Sequence, residues 1–172
     1  MIKIKKGGEV LDEHRIFIRH VRIAPDKRLS RSIIKEFARQ TLKMEKVPVP
    51  CEINILITGD KKIKKLNNDF RNVNEATDVL AFPMCDMKPG EFNKSLEGFS
   101  PETGFFMLGD IVISSDRVTK QAIDIGTSLE RETAYLTVHA VLHLLGYDHK
   151  DEAEDKKLMR SREKEILSLY DQ

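Results

Sequence analysis

The chain has few of the residues that break or cross-link a fold, and it has no tryptophan. Its 172 residues include six prolines, nine glycines and two cysteines. This composition, with 40% apolar and 33% charged residues, is typical of a globular domain and argues against a disordered chain. Two cysteines, Cys51 and Cys85, do not make a disulfide framework, so we expect both to be reduced.

Long apolar runs are also missing. No window approaches the roughly 18 apolar residues that span a bilayer. The segment MIKIKKGGEV has no apolar stretch of signal-peptide length. We therefore expect a cytoplasmic protein without membrane contact. The length suits one domain over 1–172, with residues 1–12 as a possible flexible extension.

The chain has no large excess of charge of either sign, because its net charge is only +1. Residues 1–50, however, carry 13 Lys+Arg against 6 Asp+Glu, which is a balance of +7. A basic first third can face a polyanion such as RNA. Charge alone fits solvated helix and strand faces equally well, so both interpretations stay open.

Apolar periodicity predicts alternating strands and helices. We expect strands at 13–23, 51–57, 78–84 and 111–114, and helices at about 29–46, 60–70, 116–124, 128–145 and 151–169. Asp60 is the expected N-cap of the second helix, and Phe70 is expected on its inward face. Residues 85–107 lack periodicity and predict a long loop. The pattern indicates an α+β fold with mixed α/β layers, in which about five helices pack on a sheet of about four strands.

Three of the five histidines lie within the stretch HAVLHLLGYDH, residues 139–149. On a helix, His139 and His143 project from the same face, as paired zinc ligands do. Gly146 can end that helix in a left-handed conformation, so that His149 reaches the same point. Three imidazoles with a fourth position left to water form a recurrent catalytic zinc shell. The spacing therefore predicts a metal site at a helix end.

The residue after His139 is Ala140, where a zinc peptidase of this spacing carries its general base, a glutamate. This absence argues against a peptidase but leaves the metal shell intact. A zinc amidohydrolase or peptidase stays an alternative. So does a non-catalytic, metal-stabilised module that binds ribosomal RNA, in which His14 or His20 would close a four-ligand shell. Asp148 can orient a metal-binding imidazole or cap the following helix.

HAVLHLLGYDH closely resembles the H-G-x-L-H-L-x-G-Y-D-H signature of the YbeY family of bacterial endoribonucleases. LNNDFRNVNEATDVLAFP, residues 66–83, and LGDIVIS, residues 108–114, are similar to two further blocks of that family, in the same order. Two positions depart from the family pattern, Ala140 for the usual Gly and Ala81 for Ser or Thr. Both residues are small, so neither threatens the metal site.

The resemblance implies a zinc-dependent, single-strand-specific endoribonuclease that matures the 3′ end of 16S ribosomal RNA and takes part in ribosome quality control. Implied partners are single-stranded RNA, ribosomal RNA, the small ribosomal subunit and ribosome-assembly proteins such as the Era GTPase. It also implies one zinc ion per chain, held by His139, His143 and His149. Nickel or another divalent ion suits the same imidazole shell.

The resemblance makes Arg71 a functionally important arginine, and we expect it to act in catalysis beside the ligand His143. A guanidinium suits the negative charge that develops on a phosphodiester during hydrolysis. Four lysines precede it on the predicted helix and can guide an RNA backbone, although a solvated helix face explains them as well. They are Lys61, Lys62, Lys64 and Lys65.

Overall fold

A computed structural model describes residues 14–93, 98–148 and 153–170. The predicted extension at 1–12 and the predicted ligand His149 lie outside these residues. The helices are α1 (Arg31–Met44), α2 (Asp60–Arg71), α3 (Ser115–Ile125), α4 (Leu129–Leu144) and α5 (Ala153–Leu167), and the strands are β1 (Arg15–His20), β2 (Cys51–Thr58), β3 (Val79–Pro83) and β4 (Phe106–Ser114). A 3-10 turn at Pro25–Lys27 precedes α1.

The four strands form one mixed sheet in the order β1-β2-β4-β3. β1 pairs with β2, and β2 with β4, in parallel, whereas β3 pairs with β4 antiparallel. Five helices around a four-stranded mixed sheet confirm the predicted α+β fold. β1 and β3 are the two edges, so across three strand spacings they lie about 14 Å apart.

α4 is the central helix. It packs against α1, α3 and α5 and against strands β3 and β4. Ten of its sixteen residues are buried, and Ser128 caps its start by accepting a hydrogen bond from the Arg131 N–H. Because apolar side chains surround the helix, its two histidines are held in a rigid setting. Leu142 and Leu145, predicted to bury this segment, are 0% and 5% exposed.

α2 covers the opposite face of the sheet, where Ile63 packs on Leu80 and Val112. Two details of its prediction were wrong. Gly59 is the N-cap, and Asp60 is the first helical residue. The Asp60 carboxylate does not cap its own helix, because it accepts hydrogen bonds from Ser114 Oγ, at the start of α3, and from Arg117 Nε of α3. Phe70 is 66% exposed and packs edge-to-face with Phe82, which belongs to the edge strand β3.

The predicted loop at 85–107 is shorter than expected. β4 begins at Phe106 and not at 111, because Phe106 is fully buried and its ring contacts Phe92 and Phe99 of the loop itself. The first part of the loop passes over the end of α4, where it approaches Gly146. Within the described part of the chain, none of the helices combines the length and hydropathy needed to span a bilayer.

Candidate active site

The imidazoles of His139 and His143 meet at the carboxyl end of α4. Their Nε2 atoms are 3.1 Å apart, and the two rings are almost perpendicular, at 85°. Two imidazole nitrogens at about 2.0–2.1 Å from one tetrahedral ion would be separated by roughly 3.3 Å. The observed separation is close to that value, so the pair fits a shared cation.

The other nitrogen of each ring is committed to an acceptor. His139 Nδ1 donates to Glu163 Oε1 at 2.6 Å, and His143 Nδ1 donates to the Tyr147 carbonyl at 2.8 Å. A neutral imidazole that donates through Nδ1 carries its lone pair on Nε2. In their neutral forms both rings therefore direct an Nε2 lone pair to the same point, as two metal ligands do.

Glu163 was missed by the sequence reasoning. It lies on α5, and its residue is 7% exposed. It shares the buried face of α5 with Met159 and Ile166, at helical spacing. An acid within an apolar stripe is the signal that could have identified it, because a buried carboxylate requires a partner.

The turn after α4 is fixed by backbone conformation and by anchors on two other helices. Gly146 has a φ of +87°, and a Cβ there would lie 2.1 Å from the Met87 carbonyl oxygen. Glycine at this position was predicted to end the helix, and the structure confirms it. The Tyr147 hydroxyl donates to Glu45 at 2.6 Å, and Glu45 also accepts a hydrogen bond from Arg162 of α5. Burial and the hydrogen bond to Glu45 raise the pKa of Tyr147, which keeps the hydroxyl protonated.

The two histidines lie in a cleft of about 590 Å³. The predicted residues Arg71 and Asp148 line the same cleft. Arg71 ends α2, and Asn72 turns the chain there with a φ of +56°. Arg71 Nη2 donates to the Ala81 carbonyl of β3 at 3.4 Å, so the guanidinium lies against the cleft wall. Further polar residues of the lining are Thr77, Asp78, Cys85, Asp86 and Tyr135.

Tyr135 and Asp78 are cleft residues that the sequence reasoning did not select. The Tyr135 ring lies 5.9 Å from the His139 ring, and burial together with the carboxylates of Glu163 and Glu132 raises its pKa to about 12. Asp78 accepts hydrogen bonds from the Val79 N–H and from Gln121 of α3. Asp78 therefore connects the start of β3 to α3. Tyr135 lines the cleft with an uncharged hydroxyl.

His14 and His20 do not join the cleft. His14 Nδ1 accepts a hydrogen bond from the Cys51 N–H, and His20 Nε2 contacts the Leu29 carbonyl. Both histidines belong to the β1 edge of the sheet, whereas the cleft is at the β3 edge. The alternative in which either of them closes a four-ligand shell is therefore wrong. Within the described ranges, no group of three or more His, Cys, Asp or Glu is arranged to hold a metal.

The four predicted guiding lysines are exposed on α2 but do not line the cleft. Lys61 and Lys64 instead border a separate depression with Glu75 and Arg117.

Comparisons with known proteins agree with the resemblance noted in the sequence. The family model described as Endoribonuclease YbeY matches residues 18–171. An Endoribonuclease YbeY of Clostridium botulinum (strain Loch Maree / Type A3) is 43% identical over 143 residues, covering 80% of this chain and 86% of that protein. One of Caldicellulosiruptor bescii is 46% identical over 142 residues, covering 83% and 87%. The solution structure of TM1509 from Thermotoga maritima has a TM-score of 0.55 at 28% identity, covering 88% of this chain and 86% of that one.

Proposed function

Because the chain belongs to the YbeY family of endoribonucleases, we propose that it is a zinc-dependent endoribonuclease that cleaves single-stranded RNA. The observation that carries this proposal is the pair of Nε2 atoms that meet at 3.1 Å in a cleft lined also by Arg71. His149 is proposed as the third ligand. When bound, a divalent cation supplies Lewis-acid chemistry and lowers the pKa of water.

The protein's own residues would hold and orient the reacting groups. Glu163 and the Tyr147 carbonyl fix the tautomer and orientation of His139 and His143. Arg71 would bind the nonbridging oxygens of the scissile phosphate, because a guanidinium is always charged and offers paired donors. Its present contact with the Ala81 carbonyl is 3.4 Å long, so little energy is lost when it turns towards a phosphate.

Family membership also supports a biological role, which we propose in the same terms. The substrate would be the precursor 3′ end of 16S ribosomal RNA, and the enzyme would serve ribosome quality control in the cytoplasm. The partners would be the small ribosomal subunit and assembly proteins such as the Era GTPase. Nickel or another divalent ion can replace zinc in an imidazole shell, so the metal must be identified on the purified protein.

The lysines of α2 stay a proposal as guides for RNA. A variant with alanine at all four positions should show a flatter dependence of RNA binding on salt than wild type, by up to about 3 in the log–log slope. Identical slopes would exclude these side chains from RNA contact. The four positions are Lys61, Lys62, Lys64 and Lys65.

One experiment tests metal, catalysis and substrate class together. Unstructured RNA and casein are incubated separately with wild type, with His143→Ala and with the control His20→Ala, and the bound metal of each protein is measured. We expect wild type and His20→Ala to cleave RNA and not casein. We expect His143→Ala to lose both metal and cleavage. Cleavage of casein, or undiminished RNA cleavage by His143→Ala, would overturn the proposal.

A further inference from the structure

We propose a second RNA-binding surface at the β1 edge of the sheet, which takes the phosphodiester backbone of a single strand outside the catalytic cleft. We call it the basic edge, and it consists of Arg15 and Arg19 of β1 and Arg31, Lys35 and Arg39 of α1. The inference rests on the proposed function in that RNA is the ligand. The basic edge would hold the RNA strand at a distance from the phosphodiester bond that is cleaved.

The three α1 residues are spaced at i, i+4 and i+8, so they form one stripe along the helix. This stripe runs beside β1 in the opposite direction. At one end, Arg31 Nε approaches His20 Nδ1 at 3.4 Å. At the other end, Arg39 and Lys35 line a shared depression with Arg15. The positive charges of the helix therefore meet Arg15 at one depression, and Phe17 continues from it to the neighbouring depression that Arg19 lines.

None of these five side chains is held in an ion pair among the described residues, although Glu52 and Asp110 line the same depression as Arg19. Elsewhere Lys27, Arg117 and Arg162 all pair with carboxylates. Glu52 is the partner of Arg15 in the strand ladder, yet no ion pair joins the two side chains. The Nε–H of Arg39 is buried and has no hydrogen-bond acceptor among the described residues.

The concentration of charge is strong for a nearly neutral chain. Residues 14–46 contain 10 Lys+Arg and 3 Asp+Glu, which is +7, so the rest of the chain carries −6 to give the total of +1. An isolated basic surface on an otherwise acidic protein orients a polyanion towards one side of the molecule. The first 13 residues do not alter this balance, since their three lysines offset three acids.

Two aromatic side chains favour a single strand over a duplex. Phe17 lies between Arg15 and Arg19 on the same strand face and is 52% exposed. The Arg15 guanidinium lies over the ring of half-buried Phe105, 3.9 Å from its centroid. Exposed rings and stacked guanidinium planes are the groups on which unpaired bases stack, and a duplex keeps its bases out of their reach.

The basic edge is separate from the cleft, because β1 and β3 are opposite edges of the sheet. Binding there would hold a long strand without touching the scissile phosphate. Its loss should therefore raise KM for long RNA and leave kcat for a short oligonucleotide unchanged.

The test compares a triple variant, Arg15→Gln, Arg19→Gln and Lys35→Gln, with a control that removes the same charge from dispersed exposed sites. The control is Lys120→Gln, Lys156→Gln and Lys164→Gln. Binding of a fluorescent 2′-O-methyl RNA strand of about twenty nucleotides is followed by anisotropy at several salt concentrations. Thermal melting checks that both variants are folded.

We expect the triple variant to bind about tenfold more weakly, and its log–log salt slope to fall by about 2, since each phosphate contact with a single strand contributes about 0.7. The control should stay close to wild type. Equal slopes in the two variants would overturn the proposal. So would a triple variant that keeps RNA affinity but loses binding of poly-glutamate, which would make the surface one for acidic proteins. Binding is measured without cleavage, so the result remains readable even if wild type proves not to be a nuclease.

Discussion

The imidazole of His139 is hydrogen-bonded to the carboxylate of Glu163, with 2.6 Å between Nδ1 and Oε1. The contact joins α4 to α5 across 24 residues of sequence, and both side chains are largely buried. A carboxylate in this position holds the ring in one tautomer and makes its Nε2 a better metal ligand.

Glu163→Gln should weaken metal binding by about tenfold to a hundredfold, because the amide is a weaker and uncharged acceptor for the Nδ1 proton. Competition with a chromophoric chelator measures the affinity directly, without any RNA assay. Glu165→Gln is the matched control, since Glu165 lies on the same helix but is exposed and pairs with Arg162. Equal zinc affinities in the two variants would show that Glu163 does not support the metal site.

Arg71→Lys should lower the rate of RNA cleavage by about a hundredfold to a thousandfold, which is the usual cost of removing one preorganised donor. Lysine keeps the positive charge but loses the paired donors of the guanidinium. Metal content should be unchanged, because among the described residues Arg71 hydrogen-bonds to the Ala81 carbonyl and not to His139 or His143. Full activity on single-stranded RNA would remove Arg71 from the mechanism.

Gly146→Ala should destabilise the protein more than Gly126→Ala, although both glycines have positive φ. At Gly126 a methyl group meets nothing within 4 Å, so only the left-handed conformation costs energy, at about 1 kcal/mol. At Gly146 it would meet the Met87 carbonyl oxygen at 2.1 Å, which adds about 2 kcal/mol of strain. Urea midpoints of the two variants measure the difference. Equal losses would mean that the 85–93 segment does not press on the helix end.

His14 should make the fold sensitive to mild acid. Burial and then the neighbouring Arg39 lower its pKa from 6.5 to about 4, so the folded protein favours the neutral ring. Its stabilising contribution is complete above pH 6.5 and is lost as the pH falls towards about 4. The loss approaches about 3 kcal/mol, at about 1.4 kcal/mol for each tenfold change in proton affinity.

His14→Gln isolates this contribution, because glutamine can still accept the hydrogen bond from the Cys51 N–H but does not titrate. We expect the free energy of unfolding of wild type to fall relative to the variant between about pH 6.5 and 4, as denaturant titrations would measure. Other groups titrate equally in both proteins and cancel in the difference. A difference that stays constant over this range would contradict the burial of a neutral His14.

The elements that the sequence predicts well are those with local signals. The i, i+4 spacing of His139 and His143 and the glycine at 146 specify the end of α4 by themselves, and the structure reproduces both. The strands at 51–57 and 78–84 are similarly marked by apolar runs with bounding prolines. In each case the pattern depends on neighbours within one or two turns of chain.

The features that escaped prediction depend on contacts between distant segments. Glu163 binds His139 from another helix, and no local sequence pattern indicates that these two residues are close in space. Phe106 begins β4 because the rings of Phe92 and Phe99 in the loop cover it. The local sequence FFM is equally compatible with the end of a loop. Phe70 has the spacing of an inward residue, but it is exposed because its ring partner Phe82 lies on the edge strand of the sheet.

X-ray absorption at the zinc edge of the zinc-loaded protein tests the proposed site most directly. We expect a first shell of three imidazole nitrogens and one light oxygen, all at about 2.0–2.1 Å. In His149→Ala the shell should lose one imidazole or the protein should no longer retain zinc. Four imidazole or thiolate ligands, or a spectrum unchanged by His149→Ala, would contradict an open three-histidine site.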